Sequence, residues 1–206
     1  MSVNNFRYIH FAHYKDIPNW SVQYVVEEEL GFTKKYLMAK IGSFLSRSKE
    51  LVTLQDDIVY KRVSVSTIGK GIAVRDTKLG KDIGTKKQYL VKKGQFLLSK
   101  IDARNGAFGV VPEEADGAII TGNFWAFDVD YNLLNPQYLV LVTQTKQFVG
   151  FAEKCSNGTT NRHYLQEDAF LQQSIPLPSL EEQIQIVREY NSQICQYKSL
   201  ENRNKA

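Results

Sequence analysis

Between Tyr36 and Asp130 the apolar residues come in short runs separated by turn formers, at 58–60, 63–66, 95–99, 108–111, 117–120 and 124–129. Alternation and the enrichment in β-branched and aromatic residues predict a strand for each. Asn105-Gly106 adds a hairpin signal, and the glycine-containing stretch from Thr67 to Lys87 reads as a loop. After Asn135-Pro136 the spacing changes. Tyr138, Leu141, Val142, Thr145 and Phe148 recur at helical intervals, which predicts one helix from Gln137 to about Gly150. Ahead of all this, residues 1–35 read as a short strand or two, or as a helix around 21–30 closed by Gly31.

A loop of Ser, Asn, Gly and Thr over 156–162 and an apolar stretch ending at Pro176-Leu177-Pro178 lead to the clearest helix of the chain. Ser179 and Glu182 form a capping box, in which the hydroxyl and the carboxylate satisfy each other's backbone N–H groups. Behind it Leu180, Ile184, Val187, Tyr190, Ile194 and Tyr197 step by threes and fours, close to heptad spacing. A helix of this length is marginal alone in water, so its stripe needs a partner. The expected class is α+β: a mixed, strand-rich domain over 1–178, then a C-terminal helix over 179–206 that pairs as a coiled coil.

Composition narrows the class. At 206 residues and 23.6 kDa the chain can bury a core without staples. Its two cysteines, Cys155 and Cys195, build neither a disulfide framework nor a four-ligand zinc site. No apolar run approaches the roughly 20 residues of a membrane span, and Met1-Ser-Val-Asn-Asn-Phe-Arg has no secretory pattern. A cytoplasmic location is expected. The net charge is only +4, but it is unevenly spread. From Lys61 to Arg104 twelve basic residues face three acids, so this stretch carries +9 and the rest of the chain −5. Such a block suits a polyanion, or else a set of lysines on solvated strands and turns.

No catalytic constellation emerges. Gly80-Lys81 lacks both the earlier glycine and the following Ser or Thr of a P-loop, and no Gly-x-Gly-x-x-Gly follows a strand. His10 and His13 have no third ligand at useful spacing. Asp76 and Asp82 stand near lysines, as in a metal-dependent nuclease, but charged loops produce such pairs routinely. No metal and no cofactor are expected.

Two stretches carry a resemblance. Residues 94–110 read Gly-Gln-Phe-Leu-Leu-Ser-Lys-Ile-Asp-Ala-Arg-Asn-Gly-Ala-Phe-Gly-Val, followed at 117–127 by Gly-Ala-Ile-Ile-Thr-Gly-Asn-Phe-Trp-Ala-Phe. Residues 156–165 read Ser-Asn-Gly-Thr-Thr-Asn-Arg-His-Tyr-Leu, and 175–187 read Ile-Pro-Leu-Pro-Ser-Leu-Glu-Glu-Gln-Ile-Gln-Ile-Val. Over roughly 36–200 the chain resembles the target recognition domain of specificity (S) subunits of type I restriction-modification systems. The resemblance implies a non-catalytic reader of double-stranded DNA that directs methyltransferase subunits, and in cleaving complexes a restriction subunit, to a bipartite site. S subunits normally carry two recognition domains and two long helices, so one of each implies a fragment or a half-subunit. A half-subunit would pair with a second copy through 179–206 and read a palindromic site.

On that reading Lys70, Arg75, Lys78, Lys81, Lys86, Lys87 and Lys100 would neutralise phosphates. Arg104 and Asn105, with Asn157, Thr159, Thr160, Asn161, Arg162 and His163, sit on glycine-containing loops that can approach base edges. The competing readings are a helical adaptor whose basic face is incidental and, more weakly, an intrinsic metal-dependent nuclease.

Overall fold

In a computed structural model, residues 35–67, 71–154, 156–157 and 164–204 are described. The expected element around 21–30, with His10 and His13, lies outside them. Two sheets form the body. One has the order β2 (Leu45–Ser48), β10 (Phe124–Val129), β7 (Phe96–Ser99), β8 (Phe108–Val110), paired antiparallel throughout. The other runs β3 (Leu51–Thr53), β6 (Lys87–Leu90), β9 (Ile119–Ile120), β4 (Val59–Val65), β5 (Ile72–Leu79). Here the pairings are antiparallel except for β4 with β9, which meet in parallel at Arg62 and Ile119.

The period-2 alternation of the first sheet decides what lies on each side of it. Leu97 and Ala126 enter an aliphatic layer with Val63, Val91, Val111, Ala115, Ala118 and Ile120, which joins the two sheets. Phe96 and Phe127 instead belong to an aromatic layer. Phe96 stacks on Phe108 at 6.1 Å, Phe108 meets Phe148 edge-on at 5.2 Å, and Phe170 lies 6.1 Å from Phe148 and 5.8 Å from Phe127. Covered on both faces, β7 is buried at every position, which is why Phe-Leu-Leu-Ser reads as a continuous run.

Three expectations need correction. The helix expected over 137–150 is two helices, α1 (Pro136–Thr143) and α2 (Lys146–Lys154). Thr143 and Thr145 donate their hydroxyls to the carbonyls of Val140 and Val142, and Thr145 Oγ1 accepts from Phe148 N at 3.2 Å as the cap of α2. Threonine hydroxyls compete with the backbone in this way, and spacing alone does not register it. The expected loop over 67–87 is mostly strand: Ile72–Leu79 pairs with β4 as a long hairpin. The stretch before Pro176 contains a short helix, α3 (Glu167–Gln172), before β13 (Ser174–Pro176), which pairs with β1 (Met38–Lys40).

The last helix, α4 (Leu180–Asn204), begins as expected: Ser179 N donates to Glu182 Oε2 at 3.2 Å, and Glu182 N donates to Ser179 Oγ at 3.3 Å. Its firmest attachment is the fully buried Gln183. The Gln183 amide accepts from Asn135 N at 2.8 Å and donates to the carbonyls of Leu133 and Pro178, both at 2.9 Å. Leu180, Ile184 and Val187 are half-buried, whereas Tyr190, Ile194, Tyr197 and Leu200 are exposed. Beyond Val187 the helix therefore runs for about 25 Å without cover from the described residues.

Gln183→Ala strips three buried backbone groups of their partner and should cost about 3 kcal/mol in denaturant unfolding, against about 1 kcal/mol for Ser179→Ala at the cap. Tyr138, whose hydroxyl donates to the Pro176 carbonyl at 2.9 Å, has its pKa pushed up to about 12 by burial. The unfolded chain ionises this phenol first, near its ordinary value of 10.0. Stability is therefore fully present below pH 10 and falls by about 2 kcal/mol between pH 10 and 12. Tyr138→Phe should remove that alkaline loss in unfolding curves taken against pH.

Candidate nucleic-acid interface

The β4–β5 hairpin carries the densest cationic chemistry among the described residues. Ser66 N donates to the Gly71 carbonyl at 2.9 Å, and Gly71 takes the left-handed φ of 82° at the turn. Lys70 lies outside the described residues. The register shifts between Arg62 and Val63, because Arg62 pairs with Asp76 while Val63 pairs with Val74. Arg75 is thus the extra residue of a β-bulge, a device that re-aims a side chain.

Across the ladder, Arg62 grips Asp76 with two parallel bonds, Nε to Oδ1 and Nη2 to Oδ2, both 2.6 Å. That fork, and then the nearby charges of Arg62, Arg75 and Lys78, hold the Asp76 carboxyl below its ordinary range. Arg75 Nε lies 3.5 Å from Asp76 Oδ2, and the Arg75 side chain is half exposed. Arg62 and Arg75 both line a cleft of about 260 Å³ that also includes Asp82, Thr85, Gln88, Thr121 and Phe124.

Lys78, Lys81 and Lys87 follow on the end of β5, the next turn and the start of β6. All three are exposed, with no ion pair among the described residues. Gly80 fixes the turn between them, since a Cβ there would run into the Gln55 carbonyl oxygen. Lys86 differs. Its ammonium lies 2.6 Å from Asp56 and 2.7 Å from the Gly80 carbonyl, and so closes this turn. Lys92 and Lys93 are paired with Glu50 and Glu113, and Lys61 donates to the Glu114 carbonyl. Folding thus spends much of the +9 stretch on acids and carbonyls distant in sequence.

The other predicted residues fall on two loops. Arg104 and Asn105 occupy a 3-10 turn (Ala103–Asn105) between β7 and β8, closed by Gly106 at φ 75°. Arg104 is half-buried and has partners, while Asn105 is exposed. Asn157 lies on β11 (Ser156–Asn157), whose backbone pairs with β12 (Tyr164–Leu165). Thr159, Thr160, Asn161, Arg162 and His163 lie outside the described residues, between these two strands. Lys100 stands at the base of that loop. Its carbonyl accepts from Leu165 N at 3.0 Å, and its ammonium lies 5.8 Å from the Trp125 ring and 5.9 Å from that of Tyr164.

Arg47, on β2, also lies near Trp125, 5.6 Å from the ring centre, with Glu167 at 3.7 Å and its Nη1 donating to the carbonyls of Ser48 and Ala126. Burial lowers its pKa despite that carboxylate. A lone arginine in a short strand gives no local signal of these contacts. Among the described residues no three His, Cys, Asp or Glu side chains gather as they would around a metal ion, and no helix is long and apolar enough to cross a membrane. Cys195 is an exposed free thiol.

Residues 10–191 match the family model described as the type I restriction modification DNA specificity domain. A search of the curated proteins returns no match. Among solved structures, the chain is similar to the HsdS subunit from Thermoanaerobacter tengcongensis, with a TM-score of 0.68 at 15% identity over 84% of this chain and 46% of that one. It is equally similar, at TM-score 0.68 and 16% identity, to a chain from a study of complex assembly and conformational transition of the type I R-M system, covering 84% and 45%. A type I S subunit from M. genitalium follows at TM-score 0.51, 11% identity, 84% and 43% coverage. The chain therefore spans about half the length of the solved subunits that share its fold. The strand-rich body and its long C-terminal helix thus have the fold of about half of such a subunit, and the chain belongs to the type I restriction modification DNA specificity domain family.

Proposed function

We propose that this chain reads double-stranded DNA by sequence as a specificity subunit, or half-subunit, of a type I restriction-modification complex. Methyltransferase subunits, and in cleaving complexes a restriction subunit, would be brought to a bipartite site by it. The observation that carries the DNA reading is that three exposed cations without an ion pair among the described residues, Lys78, Lys81 and Lys87, follow the Arg75 bulge within a short stretch of chain. Such cations supply affinity and register through phosphates, and the adjoining hairpin and loops supply readout. Arg104, Asn105 and the loop at 157–163 remain candidate contacts on this reading. Lys86 and Lys100 support the two loops from within.

The face of α4 supports pairing with a second copy. Tyr190, Ile194 and Tyr197 continue, at steps of four and three, the same face that buries Gln183 and Val187 against the domain. An apolar stripe that carries on past its own core needs another helix to cover it. Two copies joined there would offer two recognition domains related by a two-fold axis.

Binding to a mixed-sequence duplex should weaken with salt. The triple variant Lys78→Ala, Lys81→Ala, Lys87→Ala should flatten the slope of log K against log salt by roughly 2 to 3 units, at ~0.9 per lost phosphate contact; an unchanged slope would place the DNA elsewhere. Light scattering should give about twice the 23.6 kDa chain mass for the wild type. The joint variant Tyr190→Asp, Ile194→Asp, Tyr197→Asp should give the single mass, and a variant that stays dimeric would move the interface off this helix.

A further inference from the structure

Within the hairpin, Arg75 is the one arginine whose terminal nitrogens have no partner among the described residues while its Nε faces a carboxylate. Adjacent residues of a regular strand point to opposite faces, so Arg75 and Asp76 could not normally meet. The bulge at this position brings them together. Asp76 cannot swing away, because both its oxygens are held at 2.6 Å by Arg62 from the neighbouring strand. The result is a chain of three side chains in which Arg62 fixes Asp76 and Asp76 steadies the guanidinium of Arg75 by its inner nitrogen. The two outer nitrogens are left as a planar fork at the rim of the cleft.

We propose that Arg75 reads a guanine in the DNA target, with Asp76 as its positioning residue and Arg62 holding Asp76 in place; this rests on the DNA-recognition reading above. Two acceptors side by side match the fork, and guanine offers O6 and N7 in that arrangement in the major groove. A phosphate would match the fork equally well, but the local charge gives it no advantage. Asp76 is beside the guanidinium, and Asp82 lines the same cleft. The two carboxylates balance the two guanidinium charges of Arg62 and Arg75, so this place has no excess of positive charge to hold an anion, and it accepts the neutral edge of a base pair. Lys78, Lys81 and Lys87, exposed and without a carboxylate in ion-pair range, are the better phosphate ligands. The hairpin therefore divides its labour between a buttressed reader and following neutralisers.

The test is selection of bound sequences from a random duplex library by the full chain, read by sequencing and compared with Arg75→Ala, Arg75→Lys and Asp76→Asn. Wild type should enrich a site containing an invariant guanine, preferred about ten- to a hundredfold over other bases. Arg75→Ala and Arg75→Lys should lose the preference at that position alone and keep the rest of the site. Asp76→Asn should weaken the same preference part-way, a position-specific effect that a general loss of stability would not produce. Melting curves close to wild type establish that the variants are folded. A motif unchanged by Arg75→Ala overturns the assignment. So does a uniform loss of affinity on every sequence with a flatter salt slope, which would make Arg75 a phosphate contact. A preference unchanged in Asp76→Asn overturns the positioning role. A wild-type chain that enriches no motif overturns the recognition reading itself, and the assignment with it.

Discussion

One buried side-chain amide ties the parts of this molecule together. Gln183 sits where the long helix leaves the domain, out of contact with water, and each of its bonds goes to backbone. It closes the turn before α1, the end of the chain leaving β13 and the first turn of α4 in a single knot. Only a group that both donates and accepts can do this: a carboxylate could not donate, and an aliphatic side chain would leave three buried polar groups unpaired. Gln183, with the half-buried Leu180, Ile184 and Val187 beside it, fastens the base of α4 to the body. The Ser179–Glu182 cap beside it adds definition at the surface rather than the anchor itself.

Charge behaves differently in the folded chain than along the sequence. Arg62, Lys86, Lys92 and Lys93 all meet carboxylates, and three of those, Asp56, Glu50 and Glu113, come from outside the basic stretch. Exposed pairs of this kind add little to stability, but they remove cations from the pool open to a polyanion. Among the described residues of the block from Lys61 to Arg104, Lys61 is turned to carbonyls and Lys100 to aromatic rings, and the exposed cations left without such neighbours form a short succession from the end of β5 to β6.

Legibility followed the same division between local and distant causes. Strands such as β7 and β10 were readable because their burial is written as runs and alternations, and α4 because its cap and stripe are local. The break at Thr145 was not, because it turns on which acceptor a threonine hydroxyl chooses. Strand β5 was hidden by its charges and by Gly71 and Gly80 on either side of it, since nothing in Ala73-Val74-Arg75-Asp76 announces that Asp76 will be gripped from the neighbouring strand. Helix α3 is too short for periodicity to show. For the candidate site, the sequence named Arg75 and the lysines but not the bulge, which depends on a register only pairing establishes. Lys100 was legible as a cation and not as the spacer between two aromatic rings.

Strand β5, eight residues long, is also the outer strand of its sheet, and the backbone groups of alternate residues face away from β4 with no further strand beside them among the described residues. Edges of that length invite pairing with another chain, and proteins blunt them with charges and bulges. Here the bulge at Arg75 breaks the straight edge, and Arg75 and Lys78 place positive charge along it. The features that give the hairpin its chemistry thus also blunt its open edge. Exchanging these cations for apolar residues to change sequence preference would therefore also open this edge to pairing with other chains.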